Sequence, residues 1–145
     1  MRVIQAVDQP FVPASHEDPQ RPGVMKRVIA TRDEMLAGRC QMINWARLPV
    51  GNSFRAHYHE DMEETFILVR GTATMRIAGQ TIQLTAGDTA VVSPREIHEM
   101  ANDGTEEVEY IVIGISLGQN GRTIVCDDNQ SHSAPISRFP AQKNG

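Results

Sequence analysis

From residue 39 onward, apolar and polar positions alternate in short runs, and no run carries a 3.6-residue repeat over a helical length. The runs are "RCQMINWARL", "SFRAHYH", "ETFILVR", "TATMRIA", "TIQL", "TAVVS", "IHEMAN", "EEVEYIVIGISL" and "RTIVC". Between them stand "PVGN", "HEDME", "AGD", "PRE", "DGT" and "GQNG", rich in the residues that turn a chain. In "ATMRIA" the alternation assigns Ala73, Met75 and Ile77 to one face and Thr74 and Arg76 to the other. Many short strands joined by tight turns, without crossover helices, predict an all-β antiparallel sandwich or barrel.

Upstream the pattern is different. Pro10, Pro13, Pro19, Pro22 and Gly23 interrupt residues 1–23 too often for a core element, so this stretch is expected to be an irregular N-terminal arm. Within it, "RVIQAV" is a candidate short strand. "VMKRVIA" reads as the first strand of the barrel, which is expected to span residues 24–126. In "TRDEMLAG", Thr31 and Glu34 have capping-box spacing and Gly38 is a stop, enough for one turn of helix. Residues 127–145, polar and Pro-containing, are expected to be a disordered C-terminal tail.

The chain length of 145 residues suits one domain, and a hydrophobic fraction of 40% is that of an ordinary globular protein. A net charge of −4 offers no basic field for nucleic acid or acidic lipid. No apolar run is long enough for a membrane span, and the N-terminus lacks the apolar stretch of a secretory signal. The expected setting is therefore cytoplasmic, with no nucleic-acid or membrane partner. Cys40 and Cys126, too few for a disulfide framework and without CxxC spacing, read as reduced, packed thiols.

The candidate chemistry lies in "RAHYHEDMEETFILVRG". On a strand, residues i and i+2 face the same way, so His57 and His59 leave one face side by side, a geometry suited to chelating a metal. The polar "HEDME" predicts a turn, which resets the alternation and makes Glu60 and Asp61 turn and solvent residues. "ETFILVR" would then be the antiparallel neighbour of the His-x-His strand. Glu63 and Glu64 both remain candidates, because "FILV" is apolar on both faces. In "IHEMAN", His98 shares a face with Met100 and Asn102.

These segments resemble the two motifs of the cupin family. In the first, Gly51 is followed by five residues, His57-Tyr58-His59, four residues, Glu64, six residues and Gly71. In the second, Gly87 precedes Pro94, His98 and Asn102, with Pro94 one place late and Arg95 where the family carries a small residue or Gly. The resemblance covers residues 51–102. It implies a double-stranded β-helix, or jelly-roll barrel, with His57, His59, Glu64 and His98 on one metal ion in the barrel mouth. It also implies a homodimer.

Three imidazoles and a carboxylate suit one divalent transition metal ion: Fe, Mn, Ni, Co, Zn or Cu. Four protein ligands on a six-coordinate ion would leave places for water or substrate, the mark of a catalytic rather than a closed site. Arg55, in parity with the histidines, and Arg95 are candidate substrate-binding residues for an anionic group. Phe54, Phe66, Met75, Met100 and Trp45 read as core, and Tyr110 as core or a phenolic acid. The expected activity is that of a metal-dependent enzyme, a dioxygenase or isomerase, on a small polar organic molecule. A non-catalytic module that binds a sugar-like ligand is the alternative, and a metal-bearing storage protein a third.

Overall fold

The computed structural model describes residues 4–35, 38–118 and 121–126. The expected tail at 127–145 lies outside these residues. The described residues form eleven strands: β1 (Val12–Pro13), β2 (Met25–Thr31), β3 (Cys40–Leu48), β4 (His57–His59), β5 (Met62–Arg70), β6 (Thr72–Ile77), β7 (Gln80–Thr85), β8 (Thr89–Val92), β9 (His98–Ala101), β10 (Val108–Ser116) and β11 (Thr123–Val125). They pair throughout as antiparallel neighbours in two sheets, ordered β1-β2-β3-β10-β5-β8 and β11-β4-β9-β6-β7. The two sheets face each other as a jelly roll. Among the described residues, no helix is long and apolar enough to cross a membrane.

The alternation seen in the sequence is the alternation of burial. In β5, Met62, Glu64, Phe66 and Leu68 are buried while Glu63, Thr65 and Ile67 are half-buried. In β6, Ala73 and Met75 point inward, as their parity predicts, and Ile77 packs partly buried against the same core. Phe54, Leu48 and Leu68, each almost wholly removed from water, contribute about 2 kcal/mol apiece by burial. Gly71 carries the chain from β5 in one sheet to β6 in the other with a φ of +83°, and a Cβ there would stand 3.0 Å from Val108 Cγ2, so the connection needs a glycine.

Several expectations require correction. The segment at residues 4–7 is not a strand: Ala6–Asp8 makes a single 3-10 turn, and it is Val12–Pro13 that pairs, with β2. Thr31 and Glu34 do form the capping box, with Thr31 N donating to Glu34 Oε2 at 2.9 Å, around the 3-10 turn Arg32–Glu34. Trp45 is not core. It sits half-buried on the outer face of β3, where its indole N–H donates to Glu109 Oε2 at 2.7 Å.

The largest correction concerns β4 and β5. They are not hydrogen-bonded neighbours: β4 pairs with β9 and β11 in one sheet, and β5 with β10 and β8 in the other. The link at Glu60 and Asp61 crosses between sheets, so the histidine pair and Glu64 face each other across the interior.

Candidate metal centre

His57 and His59 are the buried positions of β4, with Tyr58 half-buried between them. In the β4–β9 pairing, His57 stands directly opposite His98, and the two rings lie 4.3 Å apart. Glu64 arrives from the opposite sheet on the inward face of β5. All four side chains are buried, and one potential ligand atom from each lies within 4.8 Å of the others. Glu64 Oε2 is the point of convergence, at 3.0 Å from His98 Nε2, 3.1 Å from His59 Nε2 and 4.0 Å from His57 Nε2. Glu63, on the outward face opposite Ile115, is excluded from the cluster by parity.

The outer nitrogen of each ring determines what its inner nitrogen can do. His57 Nδ1 donates to the Arg55 carbonyl at 2.7 Å, and His98 Nδ1 to the Glu96 carbonyl at 3.0 Å. His59 Nδ1 lies against the Gly121 and Arg122 carbonyls at 3.2 and 3.3 Å. A carbonyl only accepts, so each neutral ring carries its proton on Nδ1 and presents an Nε2 lone pair to the interior. The three Nε2 atoms then face one carboxylate oxygen, and the four side chains together could hold a metal ion. His59 Nε2 is buried without a hydrogen-bond partner among the described residues. Imidazoles whose outer nitrogens rest on carbonyls and whose inner nitrogens face inward have the orientation that metal binding needs.

The electrostatics agree. Burial pushes His57 down to about 2, with His98 and His16 adding to the effect, so its ring stays neutral. Burial opposes ionisation of Glu64, but its contacts with His59 and His98 hold it below the usual carboxylate range. For His59, burial is outweighed by Glu64, and its pKa lies above the ordinary histidine value.

Arg95, in the loop before β9, adopts a φ of +70°, the left-handed conformation that glycine takes at little cost. Its backbone N–H donates to the His59 carbonyl at 2.7 Å, tying this loop to the end of β4.

A cavity of about 230 Å³ opens beside the cluster, lined by His57, His59 and Glu64 together with Phe54, Phe66 and Tyr110. Burial, with the charges of Glu64 and Glu17 adding, raises the Tyr110 pKa, so its hydroxyl remains a neutral phenol. Arg55 and Arg95 are both exposed and are not among the lining residues. The lysine of the cavity wall is Lys26. Burial lowers its pKa and Glu64 counters that shift.

Three further residues escaped sequence reasoning. His16, in the N-terminal arm, stacks on His57 with ring centroids 4.2 Å apart. Glu17 is buried and fastens the arm: its carboxylate accepts the Gly23 N–H at 2.7 Å and the Arg55 N–H at 3.1 Å. Burial works against its ionisation, yet His16 and these two amides hold its pKa below the usual value. A side chain at Gly23 would collide with the Ser53 carbonyl, its Cβ only 1.9 Å away. Asp61, expected in solvent, instead accepts from Ser116 Oγ at 2.8 Å and from the Gly121 N–H at 3.1 Å. It thereby fixes the segment whose carbonyls hold His59. Only Lys26 left a signal, since it shares parity with Val24 and Val28.

Comparison with known proteins gives this geometry a family. The cupin-domain family model matches residues 44–114. An oxalate-binding protein of Thermotoga maritima is 25% identical over 84 residues, 58% of this chain and 69% of that protein. Among solved structures, a predicted oxalate decarboxylase from Thermotoga maritima superposes with a TM-score of 0.71 at 21% identity, covering 80% of this chain and all of the other. A sugar phosphate isomerase of the cupin superfamily from Silicibacter pomeroyi gives a TM-score of 0.64 at 16% identity, covering 79% of this chain and 75% of that one. The family match takes in three histidines and a glutamate brought together from both sheets, and the chain belongs to the cupin family.

Proposed function

We propose that the protein is a metal-dependent enzyme acting on a small polar organic molecule, with His57, His59, Glu64 and His98 as the ligands of one divalent transition metal ion. The observation that carries this reading is the convergence of three imidazole Nε2 atoms on Glu64 Oε2, with their Nδ1 atoms held by carbonyls. A metal ion between them reconciles those lone pairs with the carboxylate, and mixed N/O donors suit Fe, Mn, Ni, Co, Zn or Cu.

When bound, such an ion supplies Lewis-acid polarisation or oxygen activation. The protein's own residues do the rest. Burial keeps His57 neutral and ready to bind, while the carbonyls of Arg55, Glu96, Gly121 and Arg122 orient the rings. Phe54 and Phe66, both lining the cavity, limit water around the cluster. The adjoining cavity gives the ion access to a small molecule, which a closed structural site lacks. The names of the relatives, an oxalate-binding protein and a sugar phosphate isomerase, support a small polar ligand, and the second supports isomerase-like chemistry beside the dioxygenase-like chemistry that an oxygen-activating ion would supply.

The test is to load metal-stripped protein with each ion in turn and offer small hydroxy acids, keto acids and sugars. Oxygen uptake, or an isomerised product seen by NMR, that disappears in His59→Ala supports the enzyme. Metal-dependent binding without turnover supports the second reading, a non-catalytic binding cupin, which the oxalate-binding relative favours.

A further inference from the structure

The cavity beside the metal cluster has a second polar anchor, on a different strand. Lys26 lies on β2 with Ala46 as its cross-strand partner, and both line the cavity. Parity explains the placement: Lys26 shares the face of buried Val24, whereas Arg27 turns outward, its Nε donating to the Gln9 carbonyl. The Lys26 ammonium donates to Ser15 Oγ at 3.3 Å. That contact is with a neutral hydroxyl, and Lys26 forms no ion pair with any described residue. Arginines elsewhere in the barrel differ: Arg47, Arg70 and Arg76 all have carboxylate partners. A half-buried ammonium that faces a cavity, with no carboxylate of the described residues in contact with it, is an unfilled anion site.

We propose that Lys26 binds an anionic group of the substrate and that the substrate is a small dianion, one group directed to the metal cluster and the other to Lys26. This deepens the metal-dependent reading given above and rests on it. The charges of the cavity wall select a dianion. Glu64 cancels one charge of a divalent ion, the imidazoles are neutral, and Lys26 adds a charge, so a dianion restores neutrality. A monoanion satisfies one anchor only. Asn44 and Gln41 are on the same wall; their amide nitrogens donate to Met42 Sδ and to the Arg39 carbonyl, and each has a second N–H suited to a carboxylate oxygen. The arm supplies Ser15 at this anchor and His16 at the cluster, so it borders both anchors.

The experiment is calorimetric titration of Mn²⁺-loaded protein with malonate and, separately, acetate, alongside metal analysis of each sample. Lys26→Gln is expected to keep its metal, to weaken malonate binding at least about tenfold, and to change acetate binding by less than about twofold. Lys26→Arg is expected to retain malonate binding within about threefold, because the charge stays. Equal malonate affinity in the wild type and Lys26→Gln, or a metal-loaded wild type that ignores malonate, overturns the assignment and leaves the metal centre standing. A wild type that takes up no metal overturns the metal reading itself, and the dianion proposal falls with it.

Discussion

Strand β9 carries two buried polar residues on one face, His98 at its start and Asn102 just beyond its end, and they are solved in opposite ways. Asn102 is saturated: its amide donates to the carbonyls of Leu48 at 2.9 Å and Glu106 at 2.8 Å, and its oxygen accepts from the Gly104 N–H at 3.1 Å. His98 meets a carbonyl on its outer nitrogen, while its inner nitrogen lies 3.0 Å from Glu64 Oε2 and joins two others around that single carboxylate oxygen. A buried polar group whose every bond is to backbone holds the fold. Buried groups whose unspent lone pairs converge are built for something else. The two ends of one strand thus separate what the barrel needs to stand from what it needs to act.

The sharpest way to break that contrast is to exchange the consequences of mutation. His59→Ala is expected to lower metal affinity by about a hundredfold or more while the barrel remains folded, as read by metal content and circular dichroism. Glu64→Gln should likewise lose metal, and Glu63→Gln, on the opposite face, should not. A Glu63 effect larger than that of Glu64 would reverse the assignment. At the other end, Asn102→Ala strands two carbonyls and one amide, so urea unfolding should show a loss of about 3 kcal/mol with the metal stoichiometry unchanged.

Acidity sharpens the same comparison. In metal-free protein His57 titrates far below the unfolded value near 6.5, so it contributes stability above that pH that is lost as the pH falls. Between pH 6.5 and 5 this amounts to about 2 kcal/mol, partly offset by His59, whose raised pKa acts in the opposite direction. Glu64, held low, contributes stability above the ordinary carboxylate range that is lost only on further acidification. Unfolding of the wild type and His57→Gln in chelator at pH 7 and pH 5 reads the difference. The variant should lose less stability, and identical losses would contradict the electrostatic account. The smallest effect lies in the loop before β9. Arg95→Gly should raise stability by about 0.5–1 kcal/mol, because glycine accepts the positive φ without strain.

Much of this was legible in the chain and some of it was not, for reasons that are physical. Strand periods were readable because each strand has one buried face, so Ala73, Met75, His98 and Met100 could be assigned by counting in twos. The choice of Glu64 over Glu63 was visible through the spacing of a known motif but not through alternation, since the apolar run that follows hides the buried face. In the structure that ambiguity ends because Met62, Glu64, Phe66 and Leu68 share the interior. Which sheet each strand joins was not legible. Two residues, Glu60 and Asp61, carry the chain from one sheet to the other, and a turn that short reads like a hairpin. Nor did anything local foretell His16 or Glu17, since Glu17 is held by the backbone amides of Gly23, six residues on, and of Arg55, far along the chain. Charge was misleading as well: the arginines beside the motifs face solvent, and the cavity's lysine comes from a strand outside both motifs.

The central claim is that the His57, His59, Glu64 and His98 cluster is a metal site and the Asn102 cluster is not. Elemental analysis of protein purified without a metal-affinity step, repeated after dialysis against divalent ions, tests it most directly. The account predicts close to one transition-metal ion per chain in the wild type and in Asn102→Ala, and nearly none in His59→Ala. Wild-type protein that remains metal-free after dialysis, or His59→Ala that keeps a full equivalent, would contradict it.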